Sequence, residues 1–328
     1  MDPQVQERLM MFGGFIPGAV SMLLLMAAWY LHAFKASRVD HDEGEPDFDD
    51  DGQSSRRSPR GSVGPRWGLP ILLVMGFVGA VYAVDSTFKL WPDSNSDRFA
   101  HAMVLIGLVG VLEGLVRLPV LVGFGVRFLG FGGAFWMLAE AYTGIFGDNS
   151  VFVGSAIFAG LASSLLVAGS DGSSEDTPAW VDAGTWLVIV GASMPIFFFN
   201  LFSLGAQYPA GVIAVLVSTG VTGLVFKDLR FARGGNTVLV GMLMALMVGS
   251  IIQTGAVHLP AVMLLGVAPM VLLVPLKSAS GIRRMLARLI LLAVVLGTAG
   301  GLMYQSARGD DDSGYDDYEY EMDYGNEE

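Results

Sequence analysis

Residues 237–256 read TVLVGMLMALMVGSIIQTGA, twenty residues without a charged side chain. A backbone that crosses hydrocarbon has no water to bond its N–H and C=O groups, so it must be helical, and about 20 apolar residues span a bilayer. Nine further stretches of this kind lie at about residues 12–34, 67–84, 100–116, 120–146, 151–169, 181–204, 209–226, 260–276 and 287–305. The sequence therefore predicts an all-α, polytopic transmembrane helical bundle of about ten helices.

The composition agrees with a protein that lies mostly in the membrane. Hydrophobic residues make up 53% of the chain and charged residues 15%, whereas about a quarter of the residues are charged in an ordinary soluble domain. The ten spans leave room for one linker, one tail and short turns, so no independent soluble domain is expected. The chain has no cysteine, which excludes disulfides, thiolate chemistry and cysteine-ligated metal centres. We expect no cofactor.

The formal net charge of -12 arises mainly in two polar segments. Residues 1–34 are expected to form a retained first helix, because this span ends in aromatic residues where a signal peptide would have a small-residue cleavage site. Residues 35–66, acidic and then basic, are predicted to be a disordered linker. Residues 67–305 contain the other nine spans, and residues 306–328 are predicted to be a disordered, acidic, Tyr-rich tail.

The orientation follows from the basic residues. Of the 19 Lys and Arg residues, 14 fall in gaps after odd-numbered spans and four on the other side of the membrane. By the positive-inside rule, the first set of gaps is cytoplasmic. The sequence thus predicts a cell-membrane protein with a cytoplasmic 35–66 linker and both termini outside the cytoplasm.

Two charged residues in neighbouring spans are predicted to lie at the same depth. Glu113 lies near the end of the third span, and Arg127 lies a similar distance into the antiparallel fourth span. At 1.5 Å per residue, both reach about 8–11 Å from the shared turn. Ionisable residues inside a bilayer are costly, which makes them functional candidates. A structural ion pair between the two helices is the favoured interpretation.

A second group of ionisable residues lies toward the other side of the membrane. Asp85 closes the second span, His101 begins the third, and Glu140 lies toward the end of the fourth. Two carboxylates and an imidazole at one level suit proton transfer or cation binding, since His titrates near neutrality. Solvated helix ends are the favoured alternative, because charged groups near the interface are cheaply hydrated.

Helix breaks and buried amides are the remaining candidates. Pro17 in the first span and Pro195 in the sixth, each beside small residues, are candidate helix breaks of the kind that five-plus-five inverted-repeat transporters use to expose backbone groups. Isolated prolines more commonly only kink a helix. Asn200 and Gln253 are candidate pathway residues, although such amides usually bond neighbouring helices.

Two other sites are disfavoured. Residues 47–52 match the first half of an EF-hand calcium loop, but Ser58 stands where the ligating Glu is needed, so no metal site is predicted. Basic residues form only short clusters beside the spans, so nucleic acid is not an expected partner. The expected partners are the lipid bilayer and other membrane proteins reached through the linker or tail.

The number of spans resembles that of the drug and metabolite transporters, whose termini lie in the cytoplasm, whereas the charge pattern here predicts both termini outside. No residue role is carried over from that family. The favoured function is a non-enzymatic scaffold or assembly component of a membrane, because the spans carry few charges. A secondary transporter of a small solute or ion is the alternative. An enzyme acting on lipid is third, since no cluster of His and acidic residues suits catalysis.

Overall fold

The computed structural model describes residues 11–27, 68–85, 95–116, 118–140, 149–174, 177–226, 229–231, 233–254, 258–274 and 281–312. Within these ranges the backbone is almost wholly helical, and its one β-type pairing is an isolated bridge between Pro178 and Arg230. The predicted all-α bundle is therefore confirmed. Residues 28–67 and 313–328, which hold the predicted linker and most of the predicted tail, lie outside the described residues.

The helices follow one another closely along the chain. A π-helical turn at Met11–Phe15 leads into α1, and a 3-10 helix at Ala268–Leu273 continues α10. The α-helices are α1 (Ile16–Ala27), α2 (Gly68–Asp85), α3 (Asn95–Leu115), α4 (Val120–Glu140), α5 (Asn149–Ser174), α6 (Ala179–Phe199), α7 (Ser203–Gln207), α8 (Pro209–Val225), α9 (Arg233–Thr254), α10 (Leu259–Val267) and α11 (Gly281–Asp312).

Within the described residues, seven helices are long and apolar enough to cross a membrane. These candidate spans are carried by α2, α3, α4, α6, α8, α9 and α11. The first, fifth and ninth predicted spans coincide with shorter apolar helices at Ile16–Ala27, Ala156–Ser170 and Leu259–Leu273. Each of the ten predicted spans thus overlaps a helix, as a multi-pass membrane protein requires.

The predicted end of the fourth span, residue 146, lies outside the described residues, which are helical up to Glu140 and resume at Asn149. Two other predicted boundaries are corrected. The sixth span, predicted to reach residue 204, ends at Phe199, because Leu201 adopts a left-handed backbone conformation (φ 59°) that a right-handed helix cannot contain. Residues 306–312 of the predicted disordered tail are helical, because α11 continues to Asp312 and each added residue of a formed helix gains a hydrogen bond.

One end of the bundle carries arginines and is called the basic side. There the Arg284 guanidinium at the start of α11 donates to the Thr177 hydroxyl before α6, at 2.7 Å. The Ala179 N–H at the start of α6 donates to the Leu229 carbonyl after α8, at 2.9 Å. The predicted basic gaps after the seventh and ninth spans therefore lie on the same side of the bundle, as an even number of crossings between them requires.

The other end is called the opposite side, and there the ends of α6 and α9 meet the start of α10. Aromatic rings fill this region: Phe202 packs against both Phe99 and Phe197, with ring centroids 5.8 Å apart in each pair. Tyr208 contacts Phe77 and Phe99 at 5.6 and 5.8 Å. Aromatic pairs at these separations stabilise a core beyond the apolar area that they bury.

α9 is the central helix of the bundle. In its spanning segment 83% of the residues are buried, against 17% for α11 and 28% for α4. It packs against α2, α3, α4 and α5 as well as α10. α4 and α11 therefore lie at the periphery, where most of their surface faces away from the bundle.

Glycine pairs let two helix pairs approach closely. A Cβ on Gly110 in α3 would lie 2.7 Å from the Gly234 carbonyl oxygen in α9, and one on Gly76 in α2 would lie 2.6 Å from that of Gly211 in α8. These distances are shorter than a carbon and an oxygen tolerate. Small residues are the usual means of close helix packing in membranes, where no hydrophobic force drives helices together.

Candidate functional site

Glu113 joins three helices near the basic side. Arg127 in α4 donates a hydrogen bond from Nε to Glu113 Oε1, forming an ion pair. Thr237 in α9 donates its hydroxyl proton to the other carboxylate oxygen, Oε2. The pairing predicted from helix depth is therefore present, and Thr237 adds a contact that the sequence did not indicate.

A second ion pair, which the sequence interpretation missed, connects α6 to α11. Arg288 Nη1 donates to Asp182 Oδ1 at 2.6 Å, and both side chains are fully buried. Both residues lie inside predicted spans, within about two turns of the helix starts. A charged side chain at such a position is costly unless it is paired. The sequence therefore did contain a signal for this pair: two charged residues of opposite sign lie inside predicted spans, where each needs a partner.

The start of α9 supplies polar partners to several helices. Asn236 accepts a hydrogen bond from the indole Nε1 of Trp186 in α6, at 3.0 Å and in a buried position. The next residue, Thr237, bonds Glu113 in α3. Successive helical residues point about 100° apart, so the two side chains reach different neighbours. Amides and hydroxyls near the end of a span give no distinct sequence signal, which is why these contacts were not predicted.

Asn200 lies just beyond the end of α6, which corrects its predicted position inside a span. It is fully buried, and its Nδ2 donates to the Ser250 hydroxyl in α9. Its Oδ1 accepts the backbone N–H of His258 at 2.9 Å. The Asn200 amide therefore joins the end of α6, the end of α9 and the start of α10, as expected of an amide that bonds neighbouring helices.

Gln253 lies near the end of α9 on the opposite side and is partly buried. Its Nε2 is buried and has no hydrogen-bond partner within the described residues, and the same is true of Oε1 of Gln207 in α7. Helices α7 and α9 pack against each other. Two unsatisfied amide atoms thus lie on neighbouring helices at this end of the bundle.

The two proline candidates differ in structure. Pro17 is the second residue of α1, and the backbone changes from π-helix to α-helix just before it, between Phe15 and Ile16. Pro195, in contrast, lies inside α6, which continues to Phe199 without interruption. The break in this region comes at residues 200–202 and coincides with the left-handed Leu201. Pro195 is therefore not a helix break.

The predicted group of Asp85, His101 and Glu140 gives no metal site in the described residues, where no three His, Asp or Glu side chains lie close enough to hold an ion. Asp85 is the last residue of α2. Glu140 is the last residue of α4, and its side chain is outside the described part. The ring Nδ1 of His101 is hydrogen-bonded to the carbonyl of Asp97, one turn earlier, at 2.6 Å.

A cavity of about 400 Å³ lies between α6 and α11 in the half of the bundle nearer the opposite side. It is lined by Ala192, Pro195, Ile196, Phe199, His258, Leu296, Gly300, Met303 and Tyr304. The lining has two polar side chains, His258 at the start of α10 and Tyr304 in α11, and both lie toward the opposite side. The cavity is thus an apolar groove with a polar end.

These contacts limit the chemistry of the described interior. Two pairs of charged side chains within the spans, Glu113 with Arg127 and Asp182 with Arg288, face one another across helices. The cavity beside Pro195 is lined almost wholly by apolar groups. The ion pairs hold helices together, and the apolar cavity is suited to a hydrocarbon group. Comparison of the chain with protein families, curated proteins and solved structures finds no match.

Proposed function

We propose that this multi-pass membrane protein is a non-enzymatic scaffold or assembly component of a membrane. The proposal depends on one observation: two ion pairs, Glu113 with Arg127 and Asp182 with Arg288, join neighbouring helices. Charges at bilayer depth mark function by default, but a charge that is held by a partner on another helix serves to fix the bundle. A bundle fixed in this way suits a protein that positions others.

The peripheral helices provide the surface for such a role. α11 has one face directed away from the bundle along most of its length, formed by Ile282, Leu286, Ile290, Val294, Gly297 and Gly301. Large apolar side chains occupy the basic half of this face, and glycines occupy the other half. A neighbouring transmembrane helix packs well on a surface of this kind, because the glycines allow close backbone approach.

Cross-linking from this face tests the proposal. Since the chain has no cysteine, a single Val294→Cys variant carries one benzophenone maleimide at a position that is 64% exposed. Illumination in native membranes should yield one membrane protein in a stable, stoichiometric complex. Ala299→Cys, at a fully buried position of the same helix, is the matched control and should yield no such product. Adducts with lipid alone from Val294→Cys would overturn the proposal.

We infer the same orientation as the charge pattern indicates: the basic side in the cytoplasm of a cell, with both termini outside. Arg230, Arg283, Arg284 and Arg288 support it, since all four cluster at one end of the described bundle. The bilayer is then the main partner, and nucleic acid is not expected.

A secondary transporter remains the second candidate, because the cavity reaches Pro195 next to the interrupted segment at residues 200–202. Water access separates the two proposals. A single Ile196→Cys variant should resist a membrane-impermeant thiol reagent if the cavity holds hydrocarbon. Rapid modification from the His258 side would favour transport and would count against a purely structural role.

A further inference from the structure

The groove between α6 and α11 is built from small and apolar residues at bilayer depth. Both helices are long and apolar enough to cross the membrane, so hydrocarbon surrounds the groove wherever it opens. A Cβ on Gly300 would meet no atom within 4 Å, and Ala192 forms part of the facing wall. A larger side chain at either position would take up space in the groove.

The groove is polar at one end only. His258 and Tyr304 lie at the opposite-side end, whereas Ala192, Ile196 and Leu296 line the rest of its length. An imidazole ring and a phenol can both donate hydrogen bonds. A molecule that matches this pattern has a hydrocarbon part and a hydrogen-bond acceptor at one end.

We propose that this groove binds one acyl chain of a glycerophospholipid from the leaflet on the opposite side, with the lipid phosphate next to His258 and Tyr304. The acyl chain lies along α6 and α11, and the phosphate oxygens accept hydrogen bonds at the polar end. This site goes beyond the proposed assembly role and does not depend on it, because the groove and the outward face of α11 use different residues.

The length of the groove favours a lipid chain over a helix. Its lining spans residues 192–199 of α6 and 296–304 of α11, which is about 12 Å of helix at 1.5 Å per residue. A transmembrane helix crosses about 30 Å of hydrocarbon, so the groove would cover less than half of it. A flexible chain, in contrast, follows a short groove and leaves it toward the bilayer.

Photo-cross-linking of the reconstituted full chain tests the site. The probe is a phosphatidylcholine with a diazirine in one acyl chain, added to phosphatidylcholine nanodiscs, and adducts are located by mass spectrometry. Adducts should concentrate on residues 192–199 and 296–304. Gly300→Leu fills the groove with apolar atoms and should lower their yield about tenfold, the effect of losing about two buried methylene groups.

Thr298→Leu is the matched control. Thr298 is exposed on α11, does not line the groove, and bonds its hydroxyl to its own helix. This variant places the same leucine side chain elsewhere on the helix and should leave the adduct yield unchanged. If Gly300→Leu fails to fold, Ala192→Leu fills the groove from α6 and replaces it.

Three outcomes would overturn the proposal. Adducts spread evenly over α4 and the outward face of α11 would indicate annular lipid without a site. Equal yields from Gly300→Leu and the wild-type chain would show that the groove is not occupied by the lipid. A yield lowered as much by Thr298→Leu as by Gly300→Leu would show that the loss is not specific to the groove. The α11 partner test with Val294→Cys is read separately, so failure of one proposal leaves the other measurable.

Discussion

Arg288 and Asp182 form a fully buried ion pair, Nη1 to Oδ1 at 2.6 Å, between residues 106 positions apart in the chain. The pair joins α6 to α11. Of the candidate spans in the described residues, α11 has the smallest fraction of buried residues. Most of the surface of α11 faces away from the bundle, so we expect this buried ion pair to contribute strongly to holding the helix in place.

The first prediction concerns this pair. Asp182→Ala should lower the free energy of unfolding by about 3–5 kcal/mol, because it leaves the Arg288 charge buried without its partner. The double variant Asp182→Leu with Arg288→Met should recover most of that loss, since apolar side chains need no partner. Thermal unfolding of the purified chain measures both effects. Arg283→Ala, exposed on the same helix, is the control, and a double variant as unstable as the single one would contradict the prediction.

The second prediction concerns the hydroxyl of Thr237. Thr237→Val should cost about 1 kcal/mol of stability, because Glu113 Oε2 loses a buried hydrogen-bond donor while the side-chain volume is kept. Thr298→Val is the control: its hydroxyl donates at 2.7 Å to a carbonyl of its own helix in an exposed position, so little should change. Equal losses in the two variants, measured by thermal unfolding, would show that the Glu113 contact adds no stability.

The third prediction concerns the crossing of α3 and α9. Gly110→Ala places a methyl group 2.7 Å from the Gly234 carbonyl oxygen, which should destabilise the protein by about 1–3 kcal/mol through overpacking. Gly132→Ala in α4 meets no atom within 4 Å and should be neutral or slightly stabilising, since Ala favours helix over Gly. Unfolding midpoints of the two variants should separate clearly. A tolerated Gly110→Ala would mean that the two helices lie farther apart.

The fourth prediction concerns orientation. Single Ser58→Cys and Ser313→Cys variants place one thiol in the linker and one in the tail of a chain without cysteine. In intact cells a membrane-impermeant maleimide should label Ser313→Cys and leave Ser58→Cys unlabelled, because the positive-inside rule places the linker in the cytoplasm. Permeabilised cells should give labelling of both. The reverse pattern in intact cells would invert the bundle.

The depth of a side chain in the membrane could be predicted from its position along its own helix. Glu113 and Arg127 flank one short turn, so counting the helical rise from that turn was enough to place them side by side. The multi-pass bundle was predictable for a similar reason, because each span satisfies its own backbone hydrogen bonds. These properties depend on residues near one another in the chain.

Contacts between distant helices were not predictable. The Trp186–Asn236 and Asn200–Ser250 bonds each join residues 50 positions apart, and their pairing depends on how the helices are arranged around α9. Pro195 illustrates the same limit: a helix break was predicted, but α6 continues through it. A proline in a membrane helix is tolerated when neighbouring groups stabilise the backbone, and a single sequence does not show those neighbours.

The enclosed position of α9 has a consequence for biosynthesis. α2, α3, α4 and α5, against which it packs, are all synthesised before it, so they enter the membrane with the faces that will receive it still uncovered. When α9 leaves the translocation machinery, it must displace whatever occupies that space and exchange a lipid environment for a protein one. A nascent chain that ends before residue 233 is therefore an open, incomplete bundle, and the interval before α9 arrives is when a membrane chaperone or protease would recognise it.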